Sequence, residues 1–318
     1  MEHLYIGADI GGTTVKLAFI KADGSIEEKW EIPTNTEQQG KSIPGDISQS
    51  IDKKLKEMKI HKEAVMGIGA GAPGFVDTNT GFIHEAVNIG WKNFDFGPHL
   101  KELTGLPVWV DNDANLAALG ENWLGAGKGC TELIAVTLGT GVGGGIIANG
   151  NVLNGANGTA AELGHVTVVP VGGAPCNCGK TGCLETVSSA TGIVRIAKEV
   201  AKSYPESSLQ TAVNNGELTA KDVFDAADAG DEAAVKVILE VTDVLGMAIA
   251  NMAIAINPEK IVIGGGVSKA GAQLLTPLEE AYRKYALRRT AEASRFEIAE
   301  LGNDAGVIGG AYLVKKNK

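Results

Sequence analysis

The sequence predicts an α/β protein of two domains, and three observations carry that prediction. Strand-like runs alternate with helical stretches along all 318 residues. That length suits two domains better than one. Residues 5–24 (YIGADIGGTTVKLAFIKADG) and 134–150 (IAVTLGTGVGGGIIANG) also share one plan: strand, Gly/Thr turn, strand, polar turn. The echo leaves two readings open: a pair of unrelated hairpins, or a duplicated domain whose copies each open on a phosphate-facing hairpin.

In the first half, Leu4–Ala8 and Val15–Ile20 are β-type runs around a glycine-rich turn, and Ala22–Ser25 makes the next turn. Ile47, Ile51, Leu55 and Met58 keep helical spacing across 47–60. Val65–Ala70 reads as a strand, Gly97–Thr104 as a short helix and Pro107–Val110 as another strand. A helix at Ala114–Leu124 follows almost at once. In the second half, Leu133–Leu138 and Gly145–Ala148 form a second hairpin. Helices are predicted at 188–203, 220–229 and 232–256, then a strand at Lys260–Ile263 and a C-terminal helix from Ala305.

Composition excludes several classes. With 44% hydrophobic and 21% charged residues the chain folds rather than staying disordered. Its 43 glycines follow no G-X-Y period, so they serve turns and ligand loops rather than a collagen helix. A net charge of −10 gives no general attraction for nucleic acid or an anionic membrane. Phosphate can still be held locally by backbone N–H groups. The apolar stretch Val244–Ile256 is interrupted by Asn251 and falls short of the ~20 residues of a membrane span. The start, MEHLYIGADIGG, is no signal peptide, and four cysteines make no secreted disulfide scaffold. The expected compartment is the cytoplasm, with neither nucleic acid nor membrane as partner.

Two nucleotide motifs fail on inspection. Gly179-Lys180-Thr181 ends like a P-loop, but Ala174 stands where that motif needs glycine. Gly139 to Gly144 satisfies G-x-G-x-x-G after a strand, yet β-type residues follow where a dinucleotide fold needs a helix. What remains is two Gly/Thr turns between strands. Asp9-Ile10-Gly11-Gly12-Thr13-Thr14 suits a triphosphate: backbone N–H groups and threonine hydroxyls donate, and Asp9 can hold Mg²⁺. A third glycine loop, Gly264-Gly265-Gly266-Val267-Ser268, offers bare backbone to a nucleoside.

His165, Cys176, Cys178 and Cys183 read H-x10-C-x-C-x4-C, a donor set for a closed tetrahedral Zn²⁺ site. Reduced buried thiols or a redox pair are the alternatives. Cys130 stands apart as an ordinary buried thiol. Asp113 follows a strand and begins a helix, so by residue type it is equally a catalytic base or an N-cap. Asp111 is read as structural.

The paired turns resemble the actin-like sugar kinase superfamily, in which two related domains close over ATP. Glu162-Leu163-Gly164-His165 and the run Cys176 to Glu185 then look like the signature of the ROK (repressor, open reading frame, kinase) family. Val110 to Asn115, Ala72-Pro73-Gly74 and Asn88-Ile89-Gly90-Trp91 fit the same family, so the resemblance spans essentially the whole chain. The continuation Thr186-Val187-Ser188-Ser189-Ala190 most resembles the glucokinase branch found in Firmicutes.

The resemblance implies a two-domain actin-like ATPase (duplicated ribonuclease H-like) sugar kinase fold with its active site in the inter-domain cleft. Residues 1–111 with the C-terminal helix 303–318 would form the small domain, and 112–302 the large one. The implied reaction is ATP-dependent phosphorylation of a hexose, D-glucose to glucose 6-phosphate first. Fructose, N-acetylglucosamine or N-acetylmannosamine are alternative substrates, and a sugar-sensing transcriptional repressor is the rival class. The repressor would carry a DNA-binding module before the first strand, which Tyr5 already begins.

By the same resemblance Asp113 is the base, with Gly74, Asn88, Asn112, Glu162, His165 and Glu185 around the sugar. Gly74 is equally well a plain Pro-Gly turn. Phosphates fall to Asp9, Gly11, Gly12, Thr13, Thr14, Lys16, Gly139, Thr140, Gly141 and Gly143, and the nucleoside to Gly265 and Gly266. Structural Zn²⁺ and a homodimer complete the expectation.

Overall fold

The computed structural model describes residues 3–216 and 218–318. One five-stranded sheet holds β1 (Leu4–Ile10), β2 (Thr14–Lys21), β3 (Ile26–Pro33), β4 (Val65–Ala72) and β8 (Val108–Asn112), in the order β3-β2-β1-β4-β8. A second holds β9 (Leu133–Leu138), β10 (Val142–Ala148), β11 (Asn151–Val152), β12 (Lys260–Gly264) and β13 (Arg295–Ile298), in the order β11-β10-β9-β12-β13. In each, the first three strands pair antiparallel and the last two add in parallel. The two sheets repeat one topology, so the echo between 5–24 and 134–150 marks equivalent hairpins of a duplicated fold. A small sheet of β5 (Phe75–Asp77), β6 (Phe82–Ala86) and β7 (Trp91–Phe94) is inserted in the first half.

The first half carries α1 (Glu37–Gly40), α2 (Ile43–Met58) and α3 (Phe96–Thr104). α2 buries Ile43, Ile47, Ile51 and Leu55 in one core with β1, β2 and β4. α4 (Asp113–Leu124) starts directly after β8, where the chain leaves the first sheet. The second half carries α5 (Glu185–Ser188), α6 (Ala190–Ala201), α7 (Ser208–Asn215), α8 (Ala220–Asp228), α9 (Glu232–Ile256), α10 (Ala272–Tyr285) and α11 (Arg288–Ala293). α12 (Ala305–Asn317) returns to the first sheet, burying Val307, Ala311 and Val314 with Tyr5, Ala18 and Ile20.

Several expectations are corrected. The helix expected at 188–203 is split, because Ser189 is extended and caps α6, accepting from the Gly192 N–H at 3.0 Å. α9 has 25 residues and an 18-residue window of mean hydropathy 1.7, so by length and composition it could cross a bilayer, which the Val244–Ile256 stretch alone did not suggest. Its Val237, Val241, Leu245 and Ile249 are spent in the core of the second half. β3 escaped the sequence reading because it is a charged edge strand, half-burying only Glu28, Trp30 and Ile32.

α12 lies against the first sheet and α4 at backbone contact distance, which glycine permits. A Cβ on Gly309 would stand 1.8 Å from the Leu116 carbonyl oxygen of α4, and one on Gly7 would stand 1.8 Å from the Val307 carbonyl oxygen. Gly309→Val is therefore expected to cost about 3 kcal/mol of stability by overpacking. Urea unfolding measures it; a midpoint unchanged from the parent would mean that α12 can move aside.

Candidate active site and zinc centre

The β8–α4 junction sets the site. Asn112 ends the strand and caps the helix, its side-chain oxygen accepting from the N–H groups of Ala114 at 2.8 Å and Asn115 at 3.3 Å. Asn112, and not Asp113, is the N-cap. Its Nδ2 also donates to the Gly74 carbonyl at 3.1 Å, leaving one amide hydrogen free for a ligand. Asp113 occupies the first helical position, where its carboxylate accepts from the Ala114 N–H at 2.8 Å. Burial, with Asp9 and Glu162 nearby, pushes Asp113 up to about 7. Helix geometry holds the group, and its surroundings make it basic.

Asp113 stands in the wall shared by two cavities. The larger, of about 670 Å³, is lined by Gly74, Asn88, Asn112, Glu162, His165 and Glu185, so every residue expected around the sugar meets there. Gly74 has φ +85°, and a Cβ there would stand 2.0 Å from the Glu85 carbonyl oxygen. Glycine is thus required at 74 by the turn and by packing on β6. Burial raises Glu162 above the usual carboxylate range. Glu185 is braced by the Val142 N–H, which donates to its Oε2 at 3.1 Å. Gly141 makes room for that carboxylate, since a Cβ would stand 2.3 Å from Oε2.

The second cavity, of about 410 Å³, is lined by Asp9, Lys16, Gly139, Gly141, Gly143 and Gly265. Asp9 lies 3.8 Å from Lys16 Nζ; burial raises its pKa and Lys16 opposes the shift. Gly11 to Thr14 form the β1–β2 turn outside this lining. The Gly11 N–H is already committed to the Thr14 carbonyl at 2.9 Å, and Gly11 does not adopt a positive φ. The Gly139 N–H is likewise committed to the Gly141 carbonyl. The N–H groups of these two glycines therefore shape their turns instead of facing a phosphate. Gly143 and Gly145 serve packing: a Cβ on either would crowd Ala114 or Ala118 of α4. A third cavity of about 760 Å³ adjoins at Gly139 and Thr140, between Gly266-Val267 and α8.

Sequence reasoning missed contributors to all three cavities. Gly302, Asn303 and Gly306 line the second cavity at the start of α12, where the Gly-Asn-Asp run before a helix was a readable anion signal. Glu85, Asn177 and Thr191 line the first cavity, and Phe224 of α8 the third, with no motif to announce them.

The ligand atoms of His165, Cys176, Cys178 and Cys183 lie within 4.8 Å of one another. His165 Nδ1 is 3.6 Å from the Cys176 sulfur, and the Cys178 and Cys183 sulfurs are 3.6 Å apart. Tetrahedral zinc thiolate has sulfur–sulfur edges of about 3.8 Å, so the donor set fits. Burial and the neighbouring Cys178 and Cys176 thiols push Cys183 up to about 12, a crowding that a cation would relieve. With Nδ1 toward the thiols, His165 also lines the first cavity.

The profile of the ROK family matches residues 5–317. The chain belongs to the ROK family. Among ROK relatives, a glucokinase of Halalkalibacterium halodurans is 58% identical over 100% of this chain and 96% of its own. A glucokinase of Thermotoga maritima is 39% identical, covering 98% and 97%. The crystal structure of a ROK family glucokinase from Streptomyces griseus in complex with glucose and AMPPNP is 34% identical, with TM-score 0.79 over 98% of this chain and 99% of that one. The duplicated α/β fold of this ROK protein is that of the actin-like sugar kinases.

Proposed function

We propose that this ROK protein is a glucokinase, transferring the γ-phosphoryl group of ATP to the 6-hydroxyl of glucose. The observation that carries the reading is the position of Asp113, which lines both the sugar-side and the phosphate-side cavity. The hexose occupies the cavity of Asn112, Glu162, His165 and Glu185, the triphosphate lies along Asp9, Lys16 and the 139–143 turn, and the nucleoside reaches Gly265-Gly266. Asp113 accepts the hydroxyl proton as the sugar oxygen bonds to the γ-phosphorus. The bond from that phosphorus to the β–γ bridging oxygen breaks, and ADP leaves. Asp9 would hold Mg²⁺, which would supply charge neutralisation on the phosphates.

His165, Cys176, Cys178 and Cys183 would hold zinc in a structural role, since four protein ligands would leave no open position. Residues 1–111 with 303–318 form one lobe and 112–302 the other, closing on the hexose to exclude water.

A coupled assay with ATP and a panel of hexoses tests this reading. Glucose should give the highest kcat/KM; no turnover of any hexose would refute a kinase. With both substrates well below saturation, the rate reads the base of the free enzyme. Asp113 must be ionised, so the rate should fall as pH drops through about 7. Glu162→Gln removes a negative neighbour and should move that limb to lower pH. An unshifted limb would mean that another group titrates.

A further inference from the structure

Asp111 is the most enclosed carboxylate at the end of β8, 3% exposed, and neither the base nor the zinc site uses it. Burial raises its pKa, and its partners are amides and one backbone N–H. Its Oδ1 accepts from the Asn112 N–H at 2.7 Å and from Asn115 Nδ2 at 2.9 Å. The third partner comes from the second half of the chain. Asn154 Nδ2 donates to both carboxylate oxygens, at 3.1 and 3.0 Å.

Asn154 opens a loop that follows β11 in the second half. Its carbonyl accepts from the Ala160 N–H at 3.2 Å, closing the loop on itself. Gly158, at the loop's far end, has φ +79° and lies so close to β5 that a Cβ would stand 2.1 Å from the Val76 carbonyl oxygen. The loop therefore touches the first half at two places, Asp111 and Val76. Gly158 and Ala160 line the 670 Å³ cavity, and Glu162 follows two residues later.

We propose that Asp111 and Asn154 form a latch that fastens the 154–160 loop across the hexose cavity, making Asp111 a positioning residue for sugar binding. The inference deepens the kinase reading and rests on it. A buried carboxylate with no cation is costly unless its lone pairs are filled. Asn154 fills them only when the loop is down, so the carboxylate's need for donors drives the loop closed. The same carboxylate holds the backbone of Asn112, coupling the loop to the residue beside the base. The latch acts on the hexose and leaves the nucleotide untouched, because none of its members lines the phosphate-side cavity.

The test is glucose affinity by calorimetry without nucleotide, together with steady-state kinetics, on Asn154→Ala, Asp111→Asn and the double variant. One hydrogen bond to a charged group corresponds to about a tenfold change in affinity. Asn154→Ala should raise the glucose Kd about tenfold, with the ATP KM unchanged and kcat within a few-fold. The double variant should be no worse than the weaker single one, because both substitutions open one latch. Asn154 is half-buried on a surface loop, so its variant should fold even if Asp111→Asn does not, with a melting temperature lowered only modestly by the hydrogen bonds that Asp111 loses. A Kd for Asn154→Ala within twofold of the parent would overturn the latch, as would independent, multiplying effects in the two single variants. A parent protein that bound no hexose would instead remove the kinase reading itself.

Discussion

Replacing Asp113 with asparagine is expected to lower kcat by ~10²–10⁴-fold, the usual worth of general-base catalysis. The substitution keeps size and an oxygen that can still accept from the Ala114 N–H, but it cannot take the sugar's proton. The helix start should not suffer, because Asn112 supplies the cap. Stability should hold or rise slightly, since an isolated carboxylate beside Asp9 and Glu162 is lost. The hexose KM should move little, with Asn112, Glu162, His165 and Glu185 still in place. Near-parental kcat in a folded Asp113→Asn protein would remove Asp113 from the chemistry and turn attention to Glu162 and Glu185.

Loss of zinc is expected to damage the sugar side first. Cys178 and its neighbour Asn177 line the hexose cavity, and the Cys176 sulfur lies 3.8 Å from Glu185 Oε1. Protein purified without chelator should carry about one Zn²⁺ per chain. Cys178→Ala should abolish that metal, lower the melting temperature, and reduce activity on the order of 10–100-fold or more. Nucleotide binding should survive, because the cavity of Asp9, Lys16 and Gly139 has no wall from the zinc loop. A zinc-free protein with full activity would sink the claim.

The site was legible in the sequence to the extent that its residues sit in short local motifs. Asn112-Asp113, Glu162-x-x-His165 and the three cysteines each fall in one run, and the fold brings them to one cavity and one cluster. The walls made by α8 and by Glu85 were not legible, because no local spacing records which distant elements face each other.

By itself the sequence determined the strand–helix alternation, the shared plan of the two hairpins and the His/Cys spacing, all properties of residues near one another along the chain. Only the tertiary structure decided what the glycines are for. Gly143 belongs to a run that looks like a nucleotide loop, yet besides lining the second cavity it lets α4 approach β10; Gly141 leaves space for Glu185, and Gly309 lets α12 meet α4. A missing Cβ reads the same on paper whether a phosphate or another backbone fills its space. The roles of the carboxylates separate for the same reason. Asp111, Asp113 and Glu162 differ by what surrounds them, three amide and N–H donors, two like charges, or a half-open cavity, and those surroundings come from segments far apart along the chain.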